Sequence, residues 1–197
     1  DRFGHREDRR EEATVMNKKP DKENAREAAR KLLAEHGIKS APVPIERIAR
    51  IIGVKIEYAP LDGDLSGLAC IRDGVPIVGV NNLHAPNRQR FTIAHEVGHI
   101  QLHRDELMKA VHVDRGSLRG DGSLLRDGLA AAGIDPTEIE ANAFAAELLM
   151  PQVFLARELD GRSVDLEDDE AVALLAKRFR VSAAAMRFRL NSLGDCE

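Results

Sequence analysis

The feature that most constrains this chain is a short run of metal-binding residue types inside an apolar segment. Residues 95–99 read His-Glu-Val-Gly-His. Apolar side chains flank this run on both sides: Phe91, Ile93, Ala94, Ile100 and Leu102. The pattern predicts a helix that begins at Pro86 or Asn87 and runs to about His103. Two histidines and a glutamate are costly in such a helix unless they have a binding partner.

The spacing of these residues suits one bound cation with a catalytic base beside it. On a helix, His95 and His99 lie about 40° apart around the axis and about 6 Å along it, so a single metal ion can bind both. Glu96 follows His95, so its carboxylate can reach a water on the same metal, and zinc lowers the pKa of such a water to about 7. The alternative interpretation is a helix with two core histidines whose hydrogen bonds are satisfied within the protein.

A catalytic zinc site of this kind usually has three protein ligands and an open fourth position. One known spacing supplies the third ligand as a histidine soon after the motif, and here it requires a glycine at 102 and a histidine at 105. The sequence has Leu102 and Asp105 instead, so that spacing is absent. His103 follows His99 by one turn, and we expect it to lie off the metal-facing side of the helix.

The predicted helix 137–150 is the better source of a third ligand. Glu138 and Asn142 lie one turn apart on it, so Glu138 can bind the metal while Asn142 hydrogen-bonds one of the histidine ligands. Glu140 points about 200° away around the helix axis. Its spacing from Thr137 predicts a capping box at the start of the helix instead. Glu138 is therefore favoured over Glu140 as the ligand.

The rest of the pattern predicts an α+β fold that is mostly helical. Strands are expected at 54–58, 67–71 and 76–80, and the Asp-Gly pair before the third is typical of a hairpin turn. We therefore expect a small three-stranded antiparallel sheet packed on the helix that carries residues 95–99. Further helices are predicted at 24–36, between Pro44 and Gly53, at 152–159, at 168–179, and from a cap at Ser182 to Gly194.

Composition divides the chain into three regions. Residues 1–22 mix seven basic with six acidic residues and have little to bury, which predicts a mobile charged tail. Residues 23–160 form the predicted core that carries the site. Residues 161–197 are predicted to form a C-terminal helical segment, similar to a helix-turn-helix, that packs on the core. Inside the core, residues 113–134 contain five glycines and are expected to form a long surface loop, or a loop with a short helix, of a length typical of a lid.

Charge and cysteine content bear on the partners and the compartment. The formal net charge is −4 and the sequence pI is about 6.0, so the chain as a whole repels nucleic acid unless basic residues cluster locally. The two cysteines, Cys70 and Cys196, suggest no disulfide framework. No apolar run approaches the roughly 20 residues that span a bilayer, and no signal peptide is evident. We expect a cytoplasmic protein without a membrane partner.

Two motifs together resemble those of the ImmA/IrrE family of metallopeptidases. Residues 90–99 read Arg-Phe-Thr-Ile-Ala-His-Glu-Val-Gly-His, and residues 138–151 read Glu-x-x-Ala-Asn-x-Phe-Ala-Ala-x-Leu-Leu-Met-Pro. The resemblance covers residues 24–194. It implies a thermolysin-like, zincin-type zinc core that cleaves helix-turn-helix repressors, which are often encoded alongside the peptidase, and so derepresses mobile-element or stress-response genes. Because the chain stops at Glu197, the resemblance implies a short form without the C-terminal sensory domain of some members.

Spacing and resemblance together give each site residue a role. His95, His99 and Glu138 are predicted to bind Zn²⁺, with Mn²⁺ as the alternative metal, and Asn142 is predicted to hydrogen-bond a histidine ligand. Glu96 is predicted to remove a proton from the attacking water and to protonate the leaving amine. A further donor to the oxyanion is expected. The sequence offers these candidates without choosing among them: His103, His112, Tyr58 and the nearby arginines.

Two rival functions remain open from the sequence. Residues 174–190 resemble half of a helix-turn-helix, and their basic side chains are candidates for phosphate contacts in direct DNA binding: Lys177, Arg178, Arg180, Arg187 and Arg189. The bland alternative is that this segment packs on the core and its charges face solvent. The other rival is a regulatory module that holds a repressor without cutting it. The intact Glu96 argues against that module, because a structural zinc needs no general base.

Overall fold

A computed structural model describes residues 19–62, 65–114, 135–162 and 164–194. Its helices are α1 (Lys22–Glu35), α2 (Ile45–Ile51), α3 (Pro86–Leu102), α4 (Arg104–Leu107), α5 (Pro136–Leu149), α6 (Gln152–Leu159), α7 (Asp169–Phe179) and α8 (Ala183–Gly194). Its strands are β1 (Lys55–Ala59), β2 (Gly67–Arg72), β3 (Val75–Asn81) and β4 (His112–Asp114). The predicted α+β class, with a small sheet on helices, is confirmed. Nearly all of the predicted tail 1–22 and most of the predicted loop 113–134 lie outside the described residues.

The sheet has four strands in the order β1-β3-β2-β4. The predicted hairpin of β2 and β3 is confirmed: the strands are antiparallel, and Asp73 and Gly74 between them both have positive φ, 52° and 80°. Two central residues with positive φ form the turn that matches the twist of paired strands.

The predicted three-stranded antiparallel sheet is wrong in two respects. First, β1 pairs with β3 in parallel, from Lys55 opposite Ile77 to Ala59 opposite Asn81. The segment between β1 and β2 is not a tight turn, so β2 does not fold back on β1 but lies on the far side of β3. Second, β4 is a fourth strand, antiparallel to β2, where a loop was expected. With three residues, β4 is too short for alternation to reveal it.

α3 is a central helix, which explains why it lacks a polar face. It packs against α5 and against strands β2 and β3. Nearly every residue from Arg90 to Ile100 is buried. The guanidinium of Arg90 donates to the backbone oxygens of Val43, at 2.7 Å, and Arg180, at 3.3 Å. The start and end of α3 agree with the sequence prediction, and its depth in the core fixes the direction of the side chains in residues 95–99.

The C-terminal helices are joined by a short turn and contact the same core. Arg180 ends α7 in the left-handed region with φ of 55°, and Ser182 caps α8 as predicted, accepting from the backbone N–H of Ala185 at 3.1 Å. Arg189 of α8 is buried and forms an ion pair with the buried Glu147 of α5. Within the described residues, no helix combines the length and apolar character needed to cross a membrane.

Candidate metal centre

Helix α3 directs both histidines of residues 95–99 into the interior. His95 and His99 are each 2% exposed, and their Nε2 atoms lie 3.1 Å apart. Two such nitrogens repel when both present lone pairs or both carry protons, and a cation between them removes that repulsion. The pair therefore has the arrangement expected of two ligands to one metal ion.

Helix α5 brings Glu138 to the same point. Its Oε2 lies 3.4 Å from Nε2 of His95, and its Oε1 lies 3.2 Å from Nε2 of His99. In a tetrahedral zinc site with bonds of about 2.0–2.2 Å, neighbouring ligand atoms lie roughly 3.3–3.5 Å apart. The observed separations are within a few tenths of an ångström of that spacing. The residues thus fit a divalent cation, although their role as ligands stays a prediction.

Gly98 permits this approach of the two helices. A Cβ atom at residue 98 would lie 3.1 Å from Cδ1 of Phe144 and 3.2 Å from Cα of Ala141, closer than most side chains pack. Ala141 belongs to the backbone of α5, one turn from Glu138. The glycine inside residues 95–99 therefore lets α5 lie against α3 at the distance that places Glu138 beside the histidines.

Asn142 contacts the ring nitrogen of His95 that points away from the cluster. Its Oδ1 lies 3.0 Å from Nδ1 of His95, and an amide oxygen accepts, so Nδ1 carries the proton. Nε2 of His95 then keeps its lone pair for a metal. The structure thus brings Asn142 to the contact that the spacing of α5 predicts.

The start of α5 differs from the predicted capping box. Asp135 is the N-cap, because its side chain accepts from the N–H of Thr137 at 2.9 Å, and Pro136 occupies the first turn. Proline is favoured at the first position of a helix, so the residue before it becomes the cap. Glu140 is buried instead; its Oε1 accepts from the N–H of Asp21 at 2.7 Å. The other oxygen of Glu140 lies 3.4 Å from Nε2 of His103.

Strand β4 adds a third imidazole, and with it a fourth candidate ligand, that the sequence did not assign to the metal. Nε2 of His112 lies 3.1 Å from Oε1 of Glu138, and the rings of His112 and His99 are 3.8 Å apart at their centroids. Ligand atoms of His95, His99, His112 and Glu138 all lie within 4.8 Å of one another. Residues 112–114 alternate polar, apolar and polar, but three residues are too few for that order to predict a strand.

Glu96 lies beside this cluster in a buried position. It is fully buried, and neither carboxylate oxygen has a hydrogen-bond partner in the described part of the chain. Burial raises the pKa of Glu96 to about 8, against the opposing charge of His95 and with a further contribution from Asp114 of β4. A Cβ at Gly67 would lie 2.4 Å from Cγ2 of Thr92 and 3.3 Å from Oε1 of Glu96. The start of β2 therefore passes closely over the carboxylate.

The pKa values show how charge is distributed among the residues of the cluster. Burial lowers the pKa of His95, but its hydrogen bond with Glu138 and the charge of Glu96 prevail and raise it to about 9. For His99 burial prevails, and its pKa is lowered to about 3. Burial raises the pKa of Glu138, but hydrogen bonds from both histidines hold it far below its usual range. One imidazolium thus supplies the positive charge that a cation would bring to this carboxylate.

Of the predicted oxyanion donors that the structure describes, His112 lies in this cluster. His103 faces Glu140, as its expected position off the metal side implies. Tyr58 lies on β1 and is 49% exposed. Arg90 is held by backbone oxygens in the core.

A small sheet on a central His-Glu-x-x-His helix, with a glutamate delivered by a second helix, defines a metallopeptidase. The chain belongs to the peptidase family whose model is described as the IrrE N-terminal-like domain, which matches residues 49–191. The ImmA/IrrE resemblance is thereby confirmed.

Two similar proteins extend this comparison. The radiation response metalloprotease IrrE of Deinococcus radiodurans is 31% identical over 150 residues, which are 73% of this chain and 38% of that protein. The chain thus spans well under half the length of this curated relative. A Mycobacterium tuberculosis transcriptional regulator of known structure has a TM-score of 0.50 and 17% identity, covering 83% of this chain and 45% of the other. At that identity the likeness concerns the fold alone.

Proposed function

We propose that this chain is a zinc-dependent endopeptidase that cleaves a helix-turn-helix transcriptional repressor, and so derepresses mobile-element or stress-response genes. The observation that carries the proposal is the convergence of His95, His99 and Glu138 beside the buried carboxylate of Glu96, whose oxygens have no hydrogen-bond partner among the described residues. The repressor substrate rests on the family resemblance, and the printed name of the Deinococcus relative, a radiation response metalloprotease, supports a role in a stress response. Such a substrate would place the reaction in the cytoplasm.

The mechanism assigns one task to each residue. His95, His99 and Glu138 would hold the metal ion, while Asn142 fixes the ring of His95. When bound, the ion would polarise the scissile carbonyl and acidify a water molecule. Glu96 accepts the proton of the attacking water on a carboxylate oxygen and then donates it to the leaving nitrogen.

The test is cleavage of a helix-turn-helix repressor encoded beside this chain, by zinc-loaded protein, followed by mass spectrometry. We expect cleavage at a defined peptide bond, and a rate about 100- to 10,000-fold lower with Glu96→Gln. Glu106→Gln, which changes an exposed glutamate of α4, is the matched control and should cleave normally. Elemental analysis of the purified protein decides between zinc and manganese.

The alternative is a regulatory module that binds DNA or a repressor without proteolysis. Equal release of repressor from its operator by wild type and Glu96→Gln would favour that module. Direct DNA binding through 174–190 has little free charge to use, because three of its arginines contact acids: Arg178 with Glu158, Arg187 with Asp169 and Arg189 with Glu147. A mobility shift of duplex DNA that decreases with added salt and persists after chelation of the metal would nevertheless establish direct DNA binding.

A further inference from the structure

We propose that His112 is a fourth protein ligand of the metal, so that the centre is closed by protein atoms until strand β4 moves. This inference rests on the metal site of the proposed function and adds a regulatory step to it. A closed set of four protein ligands is typical of structural zinc, whereas a catalytic site keeps one position open for water or substrate. His112 would therefore have to leave the metal before a peptide is cleaved.

The distances place His112 in the same shell as the other three residues. Its Nε2 lies 3.1 Å from Oε1 of Glu138, the same separation as that between the Nε2 atoms of His95 and His99. Each value is close to the roughly 3.3 Å expected between neighbouring ligand atoms of tetrahedral zinc. The ring centroid of His112 lies 3.8 Å from that of His99 and 6.2 Å from that of His95.

The environment of Nε2 in His112 supports coordination over hydrogen bonding. This atom is buried, and it has no hydrogen-bond partner of acceptable geometry among the described residues. It nevertheless lies 3.1 Å from Oε1 of Glu138, so the distance suits a hydrogen bond while the angle does not. A buried imidazole nitrogen without a partner costs free energy. A metal ion at the shared point would use its lone pair.

The element that carries His112 is short and lies at the edge of the sheet. β4 forms an edge of the sheet and pairs with β2 through three residues, of which His112 lies opposite Ala69. Its neighbours Val111 and Val113 are 58% and 43% exposed, so few apolar contacts hold the strand in place. By contrast, His95, His99 and Glu138 stand on helices of the core. Loss of one short pairing would thus remove the fourth ligand and leave the other three.

A different role for His112 is donation of a proton or hydrogen bond to the oxyanion of the reacting peptide. The two roles differ in a measurable way. A ligand contributes to metal affinity and to the coordination shell of the resting protein, whereas a donor to substrate affects neither. A donor also lowers kcat when removed, whereas removal of a closing ligand can raise it.

The experiment compares wild type, His112→Ala and the control His84→Ala, which changes a partly buried histidine outside the cluster. Each is loaded with Co²⁺ in place of zinc for visible absorption, and zinc affinity is measured by chelator competition. We expect His112→Ala to change the cobalt absorption bands and to weaken zinc binding about 10-fold or more. Mutation of a residue that only hydrogen-bonds a ligand already lowers metal affinity about 10- to 100-fold. His84→Ala should match wild type.

X-ray absorption at the zinc edge of the wild type needs no variant and covers the case in which His112→Ala does not fold. Three imidazoles per zinc support the proposal, and two imidazoles with a water overturn it. Unchanged cobalt bands and zinc affinity in a folded His112→Ala also overturn it, and a reduced kcat would then assign the donor role. If the wild type binds no metal at all, this inference and the proposed function both fail, which distinguishes that result from the failure of the inference alone.

Discussion

The two helices that carry the cluster and the strand that completes it are held in very different ways. α3 and α5 pack in the core at a distance set by Gly98, with Val97 and Phe144 fully buried. β4 lies at the sheet edge and is paired over three residues. Three of the four candidate ligands thus stand on packed helices, and the proposed fourth stands on a short edge strand. We therefore expect the free energy of unfolding to depend mainly on the helix pair, and access of substrate to the site to depend mainly on the strand.

The largest effect should come from the glutamate that the helix pair contributes. Glu138→Ala is expected to weaken zinc binding by more than the roughly 10- to 100-fold that is typical when a residue hydrogen-bonded to a metal ligand is mutated. Glu140→Ala is the matched control on the same helix, since Glu140 contacts Asp21 and His103 instead. Isothermal titration of both metal-free variants with zinc makes the comparison. Equal zinc affinity in the two variants would contradict the choice of Glu138.

The close packing at Gly98 should be the next most sensitive feature. Gly98→Val is expected to lower the free energy of unfolding by about 1–3 kcal/mol, because the added atoms meet Phe144 and the α5 backbone. It should also weaken zinc binding, since α5 carries Glu138. Gly194→Val is the control, because a Cβ there meets nothing within 4 Å. Urea unfolding of both variants tests this; equal midpoints would mean that the helices can separate without cost.

Asn142 should affect the metal more than the fold. Asn142→Ala is expected to reduce zinc affinity about 10- to 100-fold, because His95 loses the acceptor that fixes its ring. Asn87→Ala removes a comparable side-chain hydrogen bond, to the oxygen of Val181 at 2.9 Å, far from the cluster. Zinc competition assays on the two variants separate the effects. An Asn142→Ala protein with wild-type affinity would show that helix packing alone orients His95.

The smallest effect is expected on the strand itself. Val113→Ala should change the free energy of unfolding by no more than about 0.5 kcal/mol, as is usual at exposed positions. Val97→Ala makes the same change at a fully buried position of α3 and should cost about 1–3 kcal/mol. Chemical denaturation of the two variants compares the regions directly. If Val113→Ala lowered the free energy of unfolding as much as Val97→Ala, the strand and the helix would be equally well packed, contrary to the comparison.

Local patterns in the sequence predicted the helical half of the site well. The apolar run around residues 95–99 gave the bounds of α3, and the one-turn spacing of Glu138 and Asn142 placed them on one face of α5. The sheet was harder, because pairing partners are chosen by long-range packing that no local window contains. β1 beside β3 and the three-residue β4 were missed for that reason. The predicted capping box from Thr137 to Glu140 was wrong, because Pro136 occupies the first turn and leaves the cap to Asp135.

The buried ion pair of Arg189 and Glu147 has a practical consequence for anyone who shortens the chain. Glu147 stands on the same helix as Glu138, two and a half turns further on, and its only charged neighbour among the described ion pairs comes from α8. A fragment that stops before α8 would remove the guanidinium that pairs with this carboxylate, together with the buried Met186 of the core. The last helix therefore supports the helix that carries Glu138, and we expect a shortened chain to need it.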